Sequence, residues 1–368
     1  MSFTVNGTTG ITFPNNTTQN TAASGYAFHN RLINGDMRID QRNAGASGTA
    51  SGFTLDRWNY NSTQASKGTW QQNAGSVTPP AGFTNYLGFT SSSAYSVLAS
   101  DYFVFRQAIE GFNTADLGFG TANASTVTLS FWVRSSLTGT FGGSLFNSAT
   151  NRTYVFSYTI NSANTWEQKS VTIAGDTSGT WLTNNGIGIS VDFTLAAGSD
   201  FTRSASSWST SGFAVTGTTS VVGTSGATFY ITGVQLEKDS VATSFDYRPY
   251  GTELALCQRY CFVMNNTDSA ANRYALGFAN SSTKGYVNTP HPVPMRTKPS
   301  LTSTSASTFQ LSDASAGTVL TAISIQSVTS DVNKTSFDCT TASGLTAYRP
   351  YYLEPYVGVS SITLSAEL

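Results

Sequence analysis

The sequence is poor in charged residues. Asp, Glu, Lys and Arg make up 11% of its 368 residues, against about 25% in an average soluble domain. Its 19 basic residues nearly balance its 20 acidic ones, so there is no broad basic field to neutralise phosphate groups or anionic lipids. Ser, Thr and Asn supply the polarity instead. We therefore expect a surface of hydroxyl and amide groups. We expect the protein neither to bind nucleic acid nor to insert into membranes.

Histidine and cysteine are also scarce. A Ser-His-Asp triad needs histidine as its proton carrier, but His29 and His291 lie far apart in sequence and no G-x-S-x-G motif is present. The odd number of cysteines, Cys257, Cys261 and Cys339, favours synthesis in a reducing compartment over a disulfide framework. A zinc site would need more ligands than these. We predict buried structural thiols, no metal and no cofactor.

Long hydrophobic runs are absent from the sequence. No stretch of eighteen apolar residues occurs, and the first residues carry neither a basic nor an apolar leader segment. We therefore expect no membrane-spanning helix and no export signal.

The acidic residues do not form a recognisable catalytic pair. Glycoside hydrolysis needs two carboxylates facing one groove, and most of these residues are expected to form turns, caps or pairs with arginine. We predict no catalytic residue and no enzyme activity, with a polysaccharide depolymerase as the less favoured alternative. The acidic residues considered are Asp36, Asp40, Asp56, Asp101, Glu110, Asp116, Glu167, Asp176, Asp192, Asp200 and Glu237.

The main secondary-structure pattern in the sequence is an alternation of apolar residues with a period of two. This alternation predicts strands with one buried face, and Thr232-Gly233 interrupts one of them as a β-bulge does. Gly-, Ser- and Asn-rich loops separate the runs, as in a β-sandwich or jelly roll. The clearest runs span 127–133, 154–160, 187–195 and 229–236.

The chain length indicates more than one domain, because a single core stops growing near about 250–300 residues. One helical pattern, at 252–260, follows Pro249 and Gly251 and marks the joint. We predict an all-β fold: an extended N-terminal arm, a jelly-roll β-sandwich body and a smaller C-terminal β-sandwich tip. The predicted ranges are 1–25 for the arm, 26–248 for the jelly roll, 249–261 for a short helical linker and 262–368 for the tip.

The N-terminal arm is too polar to bury a core by itself. It is either a flexible tail or a segment that becomes ordered against other chains. Its apolar residues Ile11 and Phe13 stand at alternate positions, which suits addition of a strand to the sheet edge of a partner. They are the candidate attachment residues.

Aromatic residues are frequent, at 12%. Sugar rings stack their C–H faces on aromatic planes, while amide and hydroxyl side chains bind their hydroxyl groups. The loop residues Trp181 and Trp208, and Tyr351 and Tyr352 in the densest aromatic segment, are therefore the candidate carbohydrate-binding residues. A loop tryptophan can alternatively plug the end of a sandwich, and the tyrosine segment can equally be a subunit interface. Trp132 and Trp166 are predicted to be core residues.

Several separated motifs resemble known families. Four of them, together with the segment Asp56-Arg57-Trp58, resemble jelly-roll carbohydrate-binding modules. The same motifs and three further segments also resemble bacteriophage tail fibres and other virion-appendage proteins, and this second resemblance is the more specific one. The four motifs are NRLINGDMR from Asn30, LSFWVRSS from Leu129, TWEQKSVTI from Thr165 and TFYITGVQLE from Thr228; the further segments are GITFPNNTTQNTAA, RPYGTELALCQRY and the final SAEL.

The resemblance carries its own expectations. Jelly-roll modules commonly hold a structural calcium, but Arg38 and Thr232 stand at the matching positions and neither is an anionic ligand. The resemblance implies a structural protein of the virion, made in the host cytoplasm and assembled as a homotrimer. It implies a tail fibre that attaches to other virion proteins through its arm and contacts host surface glycans. A capsid or neck decoration without a receptor role is the alternative.

Overall fold

The computed structural model describes residues 28–266, 272–313 and 315–368, and the backbone of three short strands before them. These described residues contain one α-helix, α1 (Tyr250–Gln258), and 3-10 helices at Ala74–Ser76, Gly111–Asn113, Ala115–Leu117, Ser199–Phe201 and Ala306–Thr308. The strands in chain order are β1 (Thr4–Asn6), β2 (Gly10–Thr12), β3 (Thr18–Gln19), β4 (Gly52–Leu55), β5 (Trp58–Ser62), β6 (Gly68–Gln72), β7 (Leu87–Ser91), β8 (Tyr102–Glu110), β9 (Val127–Ser135), β10 (Gly139–Phe146), β11 (Thr153–Ile160), β12 (Glu167–Ile173), β13 (Ile187–Ala197), β14 (Thr202–Arg203), β15 (Ser207–Ser209), β16 (Ala214–Val215), β17 (Thr228–Glu237), β18 (Cys261–Asn265), β19 (Ala275–Ala279), β20 (Lys284–Pro290), β21 (Ser300–Ser303), β22 (Phe309–Ser312), β23 (Gly317–Ile325), β24 (Lys334–Thr341), β25 (Pro350–Pro355) and β26 (Ser361–Ser365).

Two antiparallel sheets form the larger unit. One has the order β15-β11-β10-β13-β8-β5-β4 and the other β12-β9-β17-β7-β6, so the chain crosses repeatedly between sheets as in a jelly roll. Val127, Leu129, Phe131 and Val133 of β9 are buried between the sheets, and the Phe131 ring lies 5.0 Å from that of Phe193 in the opposite sheet. The all-β jelly-roll prediction is confirmed.

The alternation of β9 also corrects one prediction. Neighbouring residues of a strand face opposite sides of the sheet, so Trp132 lies on the outer face and is half-buried rather than in the core. Trp166 likewise lies outside the sandwich, where its indole N–H donates to the carbonyl of Thr78 at 2.9 Å. The predicted bulge at Gly233 is confirmed: the register of β17 shifts between Thr232 and Gln235.

The smaller unit is built around a closed barrel. Its order is β19-β20-β24-β23-β22-β25, and a three-stranded sheet, β18-β26-β21, accompanies it. A two-sheet sandwich was expected here. The sheet instead closes because β19 pairs with both β20 and β25, which leaves no edge strand. Phe309, Phe337 and Leu353 are fully buried in its core.

Helix α1 is confirmed within two residues of its predicted limits. It does not stand alone as a linker. Cys257 at its end and Tyr260 just after it are fully buried against Ile33 and Ile39, so the predicted joint is a packed core between the two units.

The N-terminal strands form a small sheet of their own. β2 is central, with Ile11 opposite Val5 of β1 and Gln19 of β3. The backbone around Ile11 is therefore already paired on both sides, where a single extended arm was expected. Phe13 lies outside the described residues.

All three cysteines are buried and free, as predicted. Burial raises the pKa of the Cys261 and Cys339 thiols well above the ordinary value. They therefore stay protonated and pack as small apolar groups.

Within the part of the chain that the structure describes, no helix has the length and apolar character to cross a membrane.

Candidate functional site

Trp181 and Trp208 meet at one end of the jelly roll. Their ring centroids are 5.5 Å apart at 83°, and Phe119 lies 5.0 Å from Trp181 and 5.9 Å from Trp208. Edge-to-face packing of this kind stabilises aromatic clusters. We call these three residues the aromatic end cluster.

Local hydrogen bonds fix the Trp181 side of this cluster. Asp176 pairs with Arg152 through two bonds of 2.7 and 2.6 Å, and it accepts the backbone N–H of Ser178 at 3.1 Å. The indole N–H of Trp181 then donates to the carbonyl of Ser178, also at 3.1 Å. The loop sequence DTSGTW thus folds back on its own aspartate.

Trp208 is held by strand pairing. It lies on β15 opposite Tyr154 of β11, and its indole N–H donates to the carbonyl of Ala174 at 2.8 Å. Both indole N–H groups of the cluster are therefore used within the chain. With Trp181 only 9% exposed, the pair plugs the end of the sandwich, which is the alternative that the sequence left open.

A cavity of about 130 Å³ lies beside Trp181. Phe119, Trp181 and Ile189 form its apolar wall, and Thr121 and Thr183 lie at its exposed rim. Its volume equals that of roughly four water molecules. Thr183 is exposed at the rim, whereas the Thr121 hydroxyl donates to the carbonyl of Gly118 at 2.7 Å and accepts the backbone N–H of Asn123 at 3.2 Å. The sequence analysis did not identify this cavity. The chain contains many threonines, and only the fold brings the three that line the cavity, Thr114, Thr121 and Thr183, close to Trp181.

A larger cavity, of about 210 Å³, lies on the other side of the 111–117 turn. The exposed rings of Phe28 and Phe112 flank it, together with Arg31 and Arg248. Arg31 binds both carboxylate oxygens of Asp116 at 2.8 Å. Its guanidinium is thereby held at the cavity wall.

Tyr351 and Tyr352 do not form one platform. Tyr351 is buried in the barrel, where its hydroxyl accepts the backbone N–H of Thr346 at 3.0 Å. Tyr352 points outward, and the Arg273 guanidinium lies 4.0 Å above its ring. Adjacent residues of β25 face opposite sides, so at most Tyr352 is accessible to a ligand.

The opening motif is a structural junction. The Asn30 side-chain oxygen accepts the backbone N–H groups of Leu32 and Leu236 at 3.0 and 3.1 Å. The Asn34 amide donates to the carbonyls of Ile39 and Asp56 at 2.8 and 2.9 Å. These asparagines replace strand pairing in a segment that has no strand of its own.

The matching positions of the calcium site have other roles. Arg38 forms an ion pair with Asp36, and the Thr232 hydroxyl donates to the carbonyl of Asn85 at 2.7 Å. Among the described residues, no group of three or more His, Cys, Asp or Glu side chains is placed to hold a metal ion.

The carboxylates are mostly bound to arginine or to backbone N–H groups. Asp192, fully buried, accepts two bonds from Arg106 at 2.7 and 2.8 Å. Burial alone would raise the pKa of Glu110, but hydrogen bonds from Arg259 and Tyr260 outweigh it and hold that pKa below its ordinary value. The Glu110 carboxylate therefore stays ionised and cannot serve as a proton donor near neutral pH.

The two histidines lie in different units, and the His291 ring contacts hydrogen-bonding groups of the barrel. The two ring nitrogens of His291 lie 2.8 Å from the Val332 carbonyl and 2.8 Å from the Thr335 hydroxyl. His29 lies in the other unit, and its backbone N–H donates to Asp246 at 3.0 Å. The structure brings no nucleophile and base together from the candidates that the sequence offered.

Comparison with known proteins gives structural likeness alone. No protein-family model matches the chain, and no curated protein matches it. Part of the chain, 56%, is similar to a tailspike protein 4 enzymatically active domain of bacteriophage CBA120, at 12% identity and a TM-score of 0.33, and spans 21% of that chain. A putative sugar-binding protein of Bacteroides thetaiotaomicron is similar at 10% identity and a TM-score of 0.32, over 57% of this chain and all of the other. The family 11 carbohydrate-binding module of a Clostridium thermocellum cellulase is similar at 14% identity and 0.28, over 53% of this chain and 96% of the other. The jelly-roll fold of the present chain rests on its own strand order.

Proposed function

We propose that this chain is a non-enzymatic structural protein of a bacteriophage virion, most simply a tail fibre, that contacts host surface glycans. The observation that carries the glycan contact is the cavity beside Trp181, with its aromatic wall and threonine rim. The motif resemblance supports the virion role. The localisation is the virion, with capsid or neck decoration as the alternative.

The cavity chemistry suits one sugar residue. A C–H face can pack on Phe119 and Trp181, while the Thr183 hydroxyl binds a sugar hydroxyl group. The Thr121 hydroxyl donates its proton to the carbonyl of Gly118, so its oxygen can only accept a further bond from the sugar. A site this small gives weak binding, with a Kd on the order of 1 mM. Several copies in a homotrimer, and several fibres on a particle, would raise the avidity without new contacts.

The pairing of three carboxylates with arginine supports binding without hydrolysis. Asp192, Asp176 and Glu110 are each held by two bonds from an arginine. A depolymerase would need one carboxyl group free to donate a proton and a second to act as nucleophile or base. Host polysaccharide incubated with the protein should keep its chain length.

Attachment to the particle is assigned to the N-terminal strands. Ile11 and Phe13 remain the candidate contacts, and the free edges of the small sheet are those of β1 and β3. A partner strand can add to either edge. Deleting residues 1–25 should leave folded protein that no longer incorporates into particles, and normal incorporation would overturn this assignment.

The glycan site is tested by filling the cavity from its rim. Thr183→Arg places a long side chain at the mouth from an exposed position, and Thr159→Arg is the matched control on the exposed face of β11. Titration with host surface polysaccharide should show binding by the wild type and by Thr159→Arg. Binding by Thr183→Arg should weaken on the order of tenfold or more. Equal binding by both variants would place the sugar elsewhere.

A further inference from the structure

The barrel wall carries an apolar strip on its outside. Strand β19 reads Ala-Leu-Gly-Phe-Ala, and its small residues face the barrel core while Leu276 and Phe278 face outward. Phe278 is 61% exposed and Leu276 51% exposed. A solvated strand has the opposite pattern, with large apolar residues inside and polar ones outside.

The strip continues onto the neighbouring strand. Leu276 lies opposite Tyr352 of β25, and Phe278 lies opposite Pro350. Directly opposed side chains are about 4.5–5.5 Å apart, so the four form one continuous surface. Tyr348, 83% exposed, precedes it in the chain. We call these five residues the barrel seam.

Close packing on the inner face of β19 requires small residues there. Gly277 packs against the next strand so closely that a Cβ there would lie 1.9 Å from the carbonyl oxygen of Tyr286. The barrel is closed, so its strands cannot add to a partner sheet by their edges. Any contact made by the seam is therefore a contact between side-chain faces.

We infer that the barrel seam is the surface against which a second copy of this chain packs, which deepens the proposed homo-oligomeric assembly. Its composition of Phe, Tyr, Leu and Pro, with an arginine stacked on Tyr352 at 4.0 Å, matches the core of a protein interface. That arginine also covers the ring face that a sugar would need.

The charges around the seam are balanced, as a surface that packs against a copy of itself requires. Arg273 and Glu354 lie 3.9 Å apart, and Lys284 and Asp338 lie 3.2 Å apart. Each flank thus carries one basic and one acidic group in contact. The rim therefore has no net charge, and a second copy that brings the same rim meets no net repulsion.

The test changes the seam without touching the core. Phe278→Glu and, separately, Leu276→Glu put a charge at its centre, and Val328→Glu is the control at another exposed apolar position, 90% exposed. Sedimentation equilibrium of the full chain should give a whole multiple of the single-chain mass for the wild type and for Val328→Glu. The two seam variants should dissociate with a Kd raised roughly a hundredfold, while circular dichroism shows that they stay folded.

Other results would overturn the inference. They are a wild-type monomer at micromolar concentration, seam variants that keep the wild-type mass, or seam variants that lose glycan binding but not mass. Monovalent sugar binding at the Trp181 cavity should be the same in Phe278→Glu and wild type. Loss of assembly and loss of the glycan function can therefore be told apart.

Discussion

Arg57 and Glu367 form an ion pair that joins the jelly roll to the last strand region of the smaller unit, across 310 positions of sequence. The guanidinium is 2% exposed and lies 3.7 Å from the ring centroid of Tyr260. Arg42 also pairs with Glu367, at 3.0 Å. The contact between the two units is thus held by buried charge as well as by apolar packing.

Glu367→Gln should destabilise the protein strongly. It leaves Arg57 and Arg42 buried with reduced compensation, and loss of one partner of a buried pair costs about 3–5 kcal/mol. The free energy of unfolding in urea measures this effect. Lys238→Met, which removes an exposed pair with Asp116, should cost less than about 1 kcal/mol. Similar losses in the two variants would contradict the buried role of Glu367.

Asp56 should make part of the stability depend on pH. Burial raises its pKa to about 6 although Arg42 acts in the opposite direction. The folded state therefore holds this proton more tightly than the unfolded state, and the contribution of Asp56 to stability falls as the pH rises from about 4 to about 6. The difference in unfolding free energy between wild type and Asp56→Asn should fall by on the order of 2 kcal/mol over that range. A constant or rising difference would show that Asp56 is not protonated preferentially in the folded state.

The β-bulge in β17 should require glycine at position 233. Gly233 has φ of 60°, and a Cβ there would lie 2.6 Å from the Phe83 ring. Gly226 has a similar φ of 72°, but no atom lies within 4 Å of its added Cβ. Thermal unfolding should show that Gly226→Ala costs about 1 kcal/mol from backbone strain alone and that Gly233→Ala costs about 1–3 kcal/mol more from overpacking. Equal losses would mean that Phe83 moves aside freely.

The aromatic end cluster should contribute more to stability than the outer tryptophan. Trp181→Ala removes a buried ring packed on two others, at a cost of about 3–5 kcal/mol. Trp132→Ala removes a half-buried ring on the outer face and should cost less. Chemical denaturation of both variants measures the difference, and a greater loss for Trp132 would reverse the assignment of the two roles.

Local sequence patterns predicted the strands but not which strands pair or pack together. The period of two placed Val127 to Val133 and Ile187 to Leu195 in strands, and Thr232-Gly233 marked a real bulge, because each signal lies within a few adjacent residues. The barrel closure depends on Leu276 meeting Tyr352, which no local pattern encodes. The sequence Ala-Leu-Gly-Phe-Ala does carry the inverted pattern of the barrel seam.

The candidate site shows the same division. The aromatic segments were recognisable from composition, but the convergence of Phe119, Trp181 and Trp208 depends on two loops and strand β15, which are separated in sequence. Asn30 and Asn34 were read as a family motif, whereas their work is to satisfy backbone groups of distant segments. Such partners become visible only in three dimensions.

The buried charges of the junction also limit how the chain can be recombined. Arg57 and Glu110 belong to the jelly roll, while their partners Glu367 and Arg259 follow residue 248. A chimera that exchanges the tip at that point would bring a foreign surface to these side chains and leave both charges without their native counterparts. Exchange of the smaller unit between related chains should therefore succeed only when the junction residues of both units are transferred together.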